Sequence, residues 1–212
     1  ITKPYGAFGN PEFDRVARES PYMPVGGELF WTKQGGAKME FANGLKAIQR
    51  FHDQHLVEIL NPESLDVLCA DGRSIVILSS HYANWELTGG TFAANYSSKP
   101  LAIREEDFVV VYKKLKSQKW DRFMLYNRIA PLAHPETYHG CQETNEILRY
   151  VLQHRSEQKF YNFITDQRPY RAAKGTLPVT FLGQSCQTMA AAANLAQRFG
   201  FAVVYQRMLN TG

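Results

Sequence analysis

The sequence is poor in cysteine and contains no long apolar run. Its three cysteines, Cys69, Cys141 and Cys186, are odd in number and form no Cys-x-x-Cys pair, which favours reduced, mostly buried thiols over a disulfide framework. None of them stands in a motif beside a histidine, so a catalytic cysteine is disfavoured. No apolar stretch approaches the roughly 18 residues of a transmembrane helix, and the sequence therefore predicts no membrane span.

The sequence also lacks internal repeats, low-complexity segments and a large excess of charge of one sign. Its 24 lysines and arginines against 20 aspartates and glutamates give a net charge of +4. That charge is compatible with nucleic acid, an anionic membrane face or an acidic protein as partner. The sequence starts at Ile1 and stops at Gly212, just after a predicted strand, which leaves room for further segments at either end, an N-terminal membrane anchor among them.

The pattern along the chain divides at about residue 60. Residues 1–60 are rich in turn residues and then show apolar residues at helical spacing, which predicts an irregular and helical cover. Residues 61–212 alternate between strand and helix patterns, which predicts one continuous α/β domain with three layers (α/β/α) and a mostly parallel, mixed sheet. Strands are predicted at residues 74–78, 101–103, 108–112, 159–165, 177–182 and 201–205, and helices at residues 61–72, 85–95, 113–128, 142–154 and 188–199.

Residues 74–90 hold the strongest functional signal. The β-branched and apolar run from Ile75 to Leu78 predicts a buried strand, and His81 and Glu86 follow it five positions apart. An α/β sheet usually presents its chemistry at the carboxyl ends of its strands. On a regular helix, positions five apart point about 140° away from each other. The two side chains can therefore meet only if His81 precedes the helix and Glu86 lies in its first turn.

His81 and Glu86 form a candidate catalytic dyad. An imidazole bonded to a carboxylate is held in one tautomer, and its other ring nitrogen can take a proton from a hydroxyl or amine that attacks an acyl carbon. The spacing alone is equally compatible with a pair that only braces the turn. Ser79 and Ser80 lie beside the histidine but outside any Gly-x-Ser-x-Gly motif, so an acyl-enzyme is not expected.

The densest positive charge lies directly after the predicted strand that ends at Tyr112. A solvated helix face is the ordinary interpretation of such a cluster, but its position at a strand end favours attraction of phosphates or of an acidic protein. Binding of nucleic acid would rest on this block alone and is not expected. The block contains Lys113, Lys114, Lys116, Lys119 and Arg122.

The segment from His81 to Glu86, His-Tyr-Ala-Asn-Trp-Glu, resembles the His-x4-Asp/Glu (HX4E) motif of the lysophospholipid and glycerol-phosphate acyltransferase superfamily. Within it, His-x-x-Asn-Trp-Glu is similar to the lauroyl and myristoyl acyltransferases of lipid A biosynthesis. Three more segments resemble that family in the same order: the Tyr-Lys-Lys-Leu block at residues 112–115, the Asp-Gln block at residues 166–167, and residues 179–183 with the alanine-rich helix after them. The resemblance covers residues 70–207. Lys114 stands where the family often has proline, and residues 1–60 match poorly, without the usual N-terminal membrane helix.

The resemblance implies an acyltransferase-like fold and a transferase activity. A fatty acyl chain would pass from a thioester, on acyl carrier protein or acyl-CoA, to a lipid hydroxyl in the synthesis of lipid A or a related membrane lipid. His81 would be the general base and Glu86 its charge partner, with no metal and no bound cofactor, because the thioester supplies the driving chemistry. The donor or acceptor site would be lined by Asn84, Tyr112, Lys113, Lys114, Lys116, Arg128, Asp166, Gln167 and Arg168.

The same resemblance implies a membrane-associated protein at the cytoplasmic face of the bacterial inner membrane, held peripherally or through an anchor outside this sequence. Two alternatives remain beside it. One is an acyltransferase for a lysophospholipid or an aminolipid. The other is a non-catalytic module that binds lipid or carrier and in which the His–Glu pair is structural. A catalytic His81 should lie at the carboxyl end of a strand and face a groove, whereas a bracing histidine should point into a sealed core.

Overall fold

The computed structural model describes residues 60–82, 85, 103–129, 132, 134–167, 169 and 175–209. They form a parallel sheet of five strands flanked by helices, together with a small antiparallel hairpin. The helical cover predicted over residues 1–60, the helix at residues 85–95 and the strand at residues 101–103 lie almost entirely outside the described residues.

The described elements alternate along the chain as the sequence predicts. The strands are β1 (Ile75–Ser79), β2 (Phe108–Tyr112), β3 (Cys141–Glu143), β4 (Phe160–Ile164), β5 (Thr176–Phe181), β6 (Gln184–Met189) and β7 (Ala202–Tyr205). The helices are α1 (Pro62–Ala70), α2 (Gln118–Ile129), α3 (Ile147–Gln153) and α4 (Ala191–Phe199), and a short 3-10 turn spans Glu105–Asp107. No helix in these parts of the chain is long and apolar enough to cross a bilayer.

The five-stranded sheet has the order β3-β2-β4-β1-β7, and all of its neighbouring strands are parallel. Strand β1 therefore lies between β4 and β7, although 80 residues of sequence separate β1 from β4. Strands β5 and β6 pair only with each other, as an antiparallel hairpin. Because the five strands run in one direction, all of their carboxyl ends lie at one edge of the sheet, which we call the carboxyl edge.

Helices cover both faces of the sheet because successive side chains of a strand point to opposite faces. On one face Val76, Val109 and Tyr161 pack with the buried side chains of α3 and α4. On the other face Ile75 and Phe160 pack with Leu65, Leu68 and Cys69 of α1. Both cores are apolar and continuous across the strands, so the predicted three-layer α/β/α architecture is confirmed.

Three predicted helices begin later than their sequence patterns indicate. The helix predicted at residues 113–128 begins at Gln118, and the other two begin later because strands include their first residues. The helix predicted at residues 142–154 begins at Ile147, because Cys141–Glu143 pair with the edge of β2 as strand β3. The main-chain bond from Val110 N–H to the Gly140 carbonyl, 2.8 Å long, starts that pairing. The helix predicted at residues 188–199 begins at Ala191, because residues 184–189 form β6 instead. In both places backbone pairing with a neighbouring strand outweighs the local helical pattern.

Candidate active site

His81 and Asp166 meet at the carboxyl edge of the sheet. The His81 Nδ1 lies 2.7 Å from the Asp166 Oδ1, and the His81 backbone N–H donates to the Asp166 Oδ2 at 2.9 Å. One carboxylate therefore holds both the ring and the main chain of the histidine. The side chains are 37% and 39% exposed, so the pair is open to solvent and does not point into a sealed core.

The sheet register brings these two residues together. Parallel pairing of β1 with β4 sets Ser79 beside Ile164, and the chain continues in step, with the Thr165 N–H donating to the Ser79 carbonyl at 3.0 Å. His81 and Asp166 each lie two residues beyond that pair, so they leave the sheet side by side. The two residues contact each other because β1 and β4 are adjacent in the sheet.

The contacts of the Asp166 carboxyl group lower its pKa. Partial burial raises its pKa, but the hydrogen bonds from the His81 ring and backbone, together with the charge of His81, lower the pKa by more, so the net pKa lies below the ordinary value of an aspartate. An ionised carboxylate on Nδ1 keeps the proton of a neutral imidazole on that nitrogen and leaves the Nε2 lone pair available. The arrangement can therefore accept a proton at Nε2.

Ser79 lies at the end of β1 and is not placed as a nucleophile. Its side chain is 4% exposed. Its hydroxyl lies against the Oδ1 of Asn162, which is also buried, and 3.1 Å from the Oε1 of Gln206. These three polar groups cross the sheet beneath the site, from β4 through β1 to the residue after β7. Ser79 is thus a buried polar link between strands, and the absence of an acyl-enzyme stays a prediction.

Trp85 and Arg128 extend the site from His81 to the end of β2. The Trp85 ring meets the His81 ring edge to face, with centroids 5.5 Å apart and an angle of 79° between the planes. The Arg128 guanidinium lies 5.3 Å from the Trp85 ring centroid and 5.0 Å from the Tyr112 ring centroid. Both aromatic faces attract a cation, which fixes the orientation of the guanidinium. The Trp85 ring thus lies in contact with both the His81 ring and the Arg128 guanidinium.

The basic block follows β2 at the same edge of the sheet. Lys113, Lys114 and Lys116 are all exposed. The Lys114 Nζ bonds the Glu143 Oε1 at 2.8 Å, and this bond with the charge of Glu143 raises the pKa of Lys114. The buried Asp121 accepts the Leu115 N–H at 2.7 Å and so holds the segment between β2 and α2 in place.

The predicted site residues divide into three groups. His81, Asp166, Tyr112 and Arg128 are connected directly or through Trp85. Gln167 and the three lysines lie exposed at the same edge. Asn84, Glu86 and Arg168 lie outside the described residues, so the predicted contact between His81 and Glu86 stays a prediction.

Sequence reasoning missed two roles within this site. Asp166 is predicted as a binding residue and is here the carboxylate on the His81 ring. Trp85 is not predicted as a site residue and here contacts both His81 and Arg128. A signal for the first role exists in the sequence, because a polar residue after each of two buried parallel strands is expected at one edge.

The three cysteines are free, and each is partly buried. Burial, with the charge of nearby Asp66, raises the pKa of Cys69, so this thiol resists ionisation. The prediction of unpaired thiols is confirmed, whereas their burial is less complete than predicted. Comparison of the chain with known proteins finds no matching family model and no matching curated protein.

Proposed function

We propose that the chain is an acyltransferase that moves a fatty acyl chain from a thioester to a lipid hydroxyl, with His81 as the general base. The observation that carries the proposal is the His81–Asp166 pair at the carboxyl edge, with Nδ1 bonded to a carboxylate and the ring open to solvent. Together with the His-x4-Glu motif around it, this pair supports base catalysis more directly than it supports bracing. A bracing pair does not need exposure.

The chemical step follows from the position of the proton. Asp166 keeps the Nδ1–H of a neutral His81, and Nε2 takes the proton from the acceptor hydroxyl as its oxygen attacks the thioester carbonyl carbon. The C–O bond forms and a tetrahedral oxyanion results. Its collapse breaks the C–S bond, and the imidazolium returns its proton to the departing thiolate. His81 ends the cycle neutral, and no covalent enzyme intermediate is needed.

Asp166 and Glu86 have separate roles in this proposal. Asp166 is a positioning residue, because its contact fixes the tautomer and the orientation of the His81 ring. Glu86 keeps the role of charge partner that the acyltransferase motif implies. Their two negative charges would both stabilise the imidazolium that forms during proton transfer.

The positive side of the site suits an anionic group on the donor or on the acceptor. Arg128 lies between two aromatic rings, and Lys113 and Lys116 stand exposed beside it. Phosphates occur on phospholipids, on lipid A precursors and on the pantetheine arm of both thioester donors. We propose that this basic group binds one of those phosphates, while His81 acts on the acceptor hydroxyl.

The proposal is tested by supplying labelled acyl-CoA or acylated acyl carrier protein with a bacterial membrane lipid extract and identifying the lipid that gains the mass of the acyl chain. We expect His81→Ala and Glu86→Ala each to lower the transfer rate at least about a hundredfold, the lower end for a positioned acid–base group. The control is His154→Ala, which removes a histidine with a similar carboxylate contact to Glu157, at 2.9 Å, far from the carboxyl edge.

The outcome also separates the alternatives. Acylation of a lysophospholipid or an aminolipid would identify a different acceptor lipid, and the proposed catalytic step would be unchanged. Undiminished transfer in both the His81 and the Glu86 variants would show that the pair is not catalytic. Binding of lipid or carrier without transfer by the unaltered chain would favour the non-catalytic module.

A further inference from the structure

The β5–β6 hairpin, residues 176–189, exposes apolar side chains that the proposed chemistry does not use. Leu177, Val179 and Phe181 alternate along β5 and share one face of the hairpin, and they are 43%, 40% and 64% exposed. Leu182, at the tip, is 87% exposed. Every residue of β5 is exposed, whereas Cys186, Thr188 and Met189 of β6 are partly buried, so β5 is the more solvent-exposed strand of the hairpin. An isolated two-stranded hairpin of this kind is only marginally stable in water.

The tip is built at a local conformational cost. Register pairs Phe181 with Gln184, so Leu182 and Gly183 form a two-residue turn, with φ angles of 49° and 75°. Turns with two positive φ angles favour Asn-Gly or Asp-Gly, because the left-handed region penalises most side chains with a Cβ. A leucine at the first position exposes an apolar side chain where a polar turn residue is usual, and strain of this kind is found where the side chain has a function.

The hairpin leaves the core at the carboxyl edge, beside the candidate active site. Its first strand follows β4, which ends at this edge next to Asp166. Its second strand leads into α4, which precedes the parallel strand β7 and therefore begins at the same edge. The Ala190 N–H donates to the Gly175 carbonyl at 3.4 Å and closes the base of the hairpin there. The base of the hairpin and the His81–Asp166 pair thus lie at the same edge of the sheet.

The same edge carries exposed positive charge. Lys116 and Lys119, at the start of α2, and Arg207, after β7, are exposed there. Two of the acidic groups nearby are already engaged, Glu143 with Lys114 at 2.8 Å and Asp166 with His81 at 2.7 Å. An apolar hairpin and exposed cations at the same edge are together complementary to an anionic bilayer, whose headgroups attract the cations and whose acyl chains accept the apolar side chains.

A protein partner fits the hairpin less well. If each of the four apolar side chains were as large as the biggest aromatic, about 250 Å², their exposed fractions would together present roughly 600 Å². A stable protein interface buries about 800 Å² on each partner. The patch is also narrow and pointed, because its most exposed residue is in the turn, whereas stable protein interfaces are broad. Insertion into lipid requires neither breadth nor a matching surface.

We infer that the β5–β6 hairpin inserts Phe181 and Leu182 into an anionic phospholipid bilayer and thereby turns the carboxyl edge, with His81 and Asp166, toward the membrane. The choice of lipid as the partner rests in part on the proposed function, whereas the insertion itself requires no catalysis. A hydroxyl on a membrane lipid would then reach the histidine without leaving the bilayer surface.

The test measures binding of the full 212-residue chain to vesicles by flotation, without an acyl donor, so that its result does not depend on acyl transfer. Vesicles of equal parts phosphatidylglycerol and phosphatidylcholine are compared with vesicles of phosphatidylcholine alone. We expect the anionic vesicles to bind at least about tenfold more tightly, since each cation near the surface contributes on the order of a fewfold increase. Phe181→Thr combined with Leu182→Asn should weaken binding to the anionic vesicles at least about tenfold.

The variants are chosen to keep the hairpin folded. Threonine suits a strand and asparagine suits the left-handed position, so the double variant keeps or improves local backbone preferences. Leu182→Asn alone serves if the double variant fails to fold, with an expected loss of at least about threefold. Val67→Gln is the matched control, because Val67 is 72% exposed on α1 and its replacement removes a similar apolar area elsewhere.

Three results would overturn the inference. Equal binding of the hairpin variants and the unaltered chain would show that another surface meets the membrane. An equal loss with Val67→Gln would show that the effect is general hydrophobicity. Absence of vesicle binding, with a concentration-dependent dimer that the hairpin variants abolish in sedimentation, would show that the tip contacts a second copy. Acyl transfer measured on the same variants with a detergent-dispersed acceptor should stay unchanged, which separates this inference from the proposed activity.

Discussion

A single carboxylate, that of Asp166, bonds both the ring and the backbone of His81, through Oδ1 at 2.7 Å and Oδ2 at 2.9 Å. The histidine follows β1 and the aspartate follows the adjacent parallel strand β4. The orientation of the ring is therefore set by the pairing of two central strands of the sheet, and not by the local turn alone. If His81 is the base, replacing Asp166 should lower the rate of acyl transfer strongly, although Asp166 is distant from His81 in the sequence.

We expect Asp166→Asn to lower acyl transfer at least about a hundredfold. The amide oxygen of the asparagine can still accept one hydrogen bond, but its NH2 group can instead turn toward Nδ1. That orientation favours the His81 tautomer with the proton on Nε2, and a protonated Nε2 cannot accept the proton of the acceptor hydroxyl. Because the two residues act as one unit, the double variant His81→Ala with Asp166→Asn should lose little more than His81→Ala alone. Transfer rates of the three variants at saturating donor check this. Losses that multiply in the double variant would show that Asp166 acts independently of the histidine.

We expect Arg128→Ala to raise KM for the substrate that carries the bound phosphate about tenfold, with a smaller change in kcat, because the guanidinium binds and does not react. Arg128→Lys should restore only part of the affinity, since an ammonium cannot lie flat between the Trp85 and Tyr112 rings. Steady-state kinetics with donor and acceptor varied separately identify the affected substrate. Arg198→Ala, which removes an exposed arginine whose guanidinium lies 5.6 Å from the Phe199 ring centroid on α4, is the control and should leave both constants unchanged. A loss confined to kcat would place Arg128 in the chemistry instead.

The central strands of the fold can be predicted because their own residues show the apolar pattern of a buried strand. β1, β2 and β4 are buried on both faces, and their sequences are apolar apart from Ser79 and Asn162. β3 and β6 are not predictable in this way. Cys-Gln-Glu and Gln-Ser-Cys-Gln-Thr-Met contain no apolar run, and each becomes a strand only because a neighbouring strand offers its backbone groups. The hairpin is also difficult to predict from the sequence, because leucine is not a usual first residue of a two-residue turn.

The candidate site divides in the same manner. His81 and Asp166 are each recognisable as polar residues after a buried strand, but 85 positions separate them. Their contact depends on β4 lying next to β1, with β2 and β3 placed on the far side of β4. Periodicity and spacing report which residues form strands and say nothing about which strands are neighbours. Strand order is decided by packing across the whole domain, and so the pairing of the two residues follows only from the fold.

A buried lysine provides a stability test at the opposite end of β4. The Lys159 side chain is 5% exposed, and its Nζ contacts the Asp107 Oδ1 at 3.1 Å, the Glu157 Oε2 at 2.8 Å and the Glu106 carbonyl at 3.2 Å. Burial lowers the pKa of Lys159, but the bonds to Glu157 and Asp107 raise the pKa by more, so the ammonium stays charged.

We expect Lys159→Ala to lower the free energy of unfolding by about 3 kcal/mol, because it leaves the buried Asp107 carboxylate with one partner fewer. Urea denaturation measures the change. Arg155→Ala, a change at an exposed arginine four positions away, is the control and should stay within about 0.5 kcal/mol of the unaltered protein. Similar losses in the two variants would mean that the buried contacts of Lys159 contribute nothing to stability.

The acid end of the stability profile should depend on Glu157. Hydrogen bonds from Lys159 and then from His154 lower the pKa of Glu157 from its ordinary 4.5 to about 2. The folded state binds this proton less tightly than the unfolded state. The stabilisation is therefore complete above about pH 4.5 and is lost as the pH falls toward about 2.

Urea midpoints measured across that range should fall more steeply for the unaltered protein than for Glu157→Gln, which has no carboxyl group to titrate. His154→Ala removes one of the two hydrogen bonds and should give an intermediate slope. Parallel curves for all three proteins would show that Glu157 is not coupled to folding in the way its contacts indicate.

Gly140 affects both the fold and the candidate site, because β3 begins directly after it and pairs with β2, which ends at Tyr112. A Cβ on this residue would collide with the Phe108 carbonyl oxygen and with the Tyr138 ring. Neither can withdraw easily, since the Tyr138 hydroxyl donates to that same carbonyl at 2.6 Å and the Gly140 carbonyl accepts the Val110 N–H at 2.8 Å. We expect Gly140→Ala to lower the free energy of unfolding by about 3 kcal/mol, the upper end for overpacking a buried position.

The appropriate comparison is Gly72→Ala. Gly72 has a φ of 75° and no atom near its missing Cβ, so this variant introduces backbone strain without a collision and should lose only about 1 kcal/mol. Denaturation curves of the two variants therefore separate the steric from the conformational effect. Gly140→Ala should also weaken substrate binding, because the strand that it displaces ends at Tyr112, against which Arg128 is packed. A Gly140 variant as stable as the Gly72 variant would mean that β3 can move aside without disturbing β2, and its substrate binding should then be unchanged.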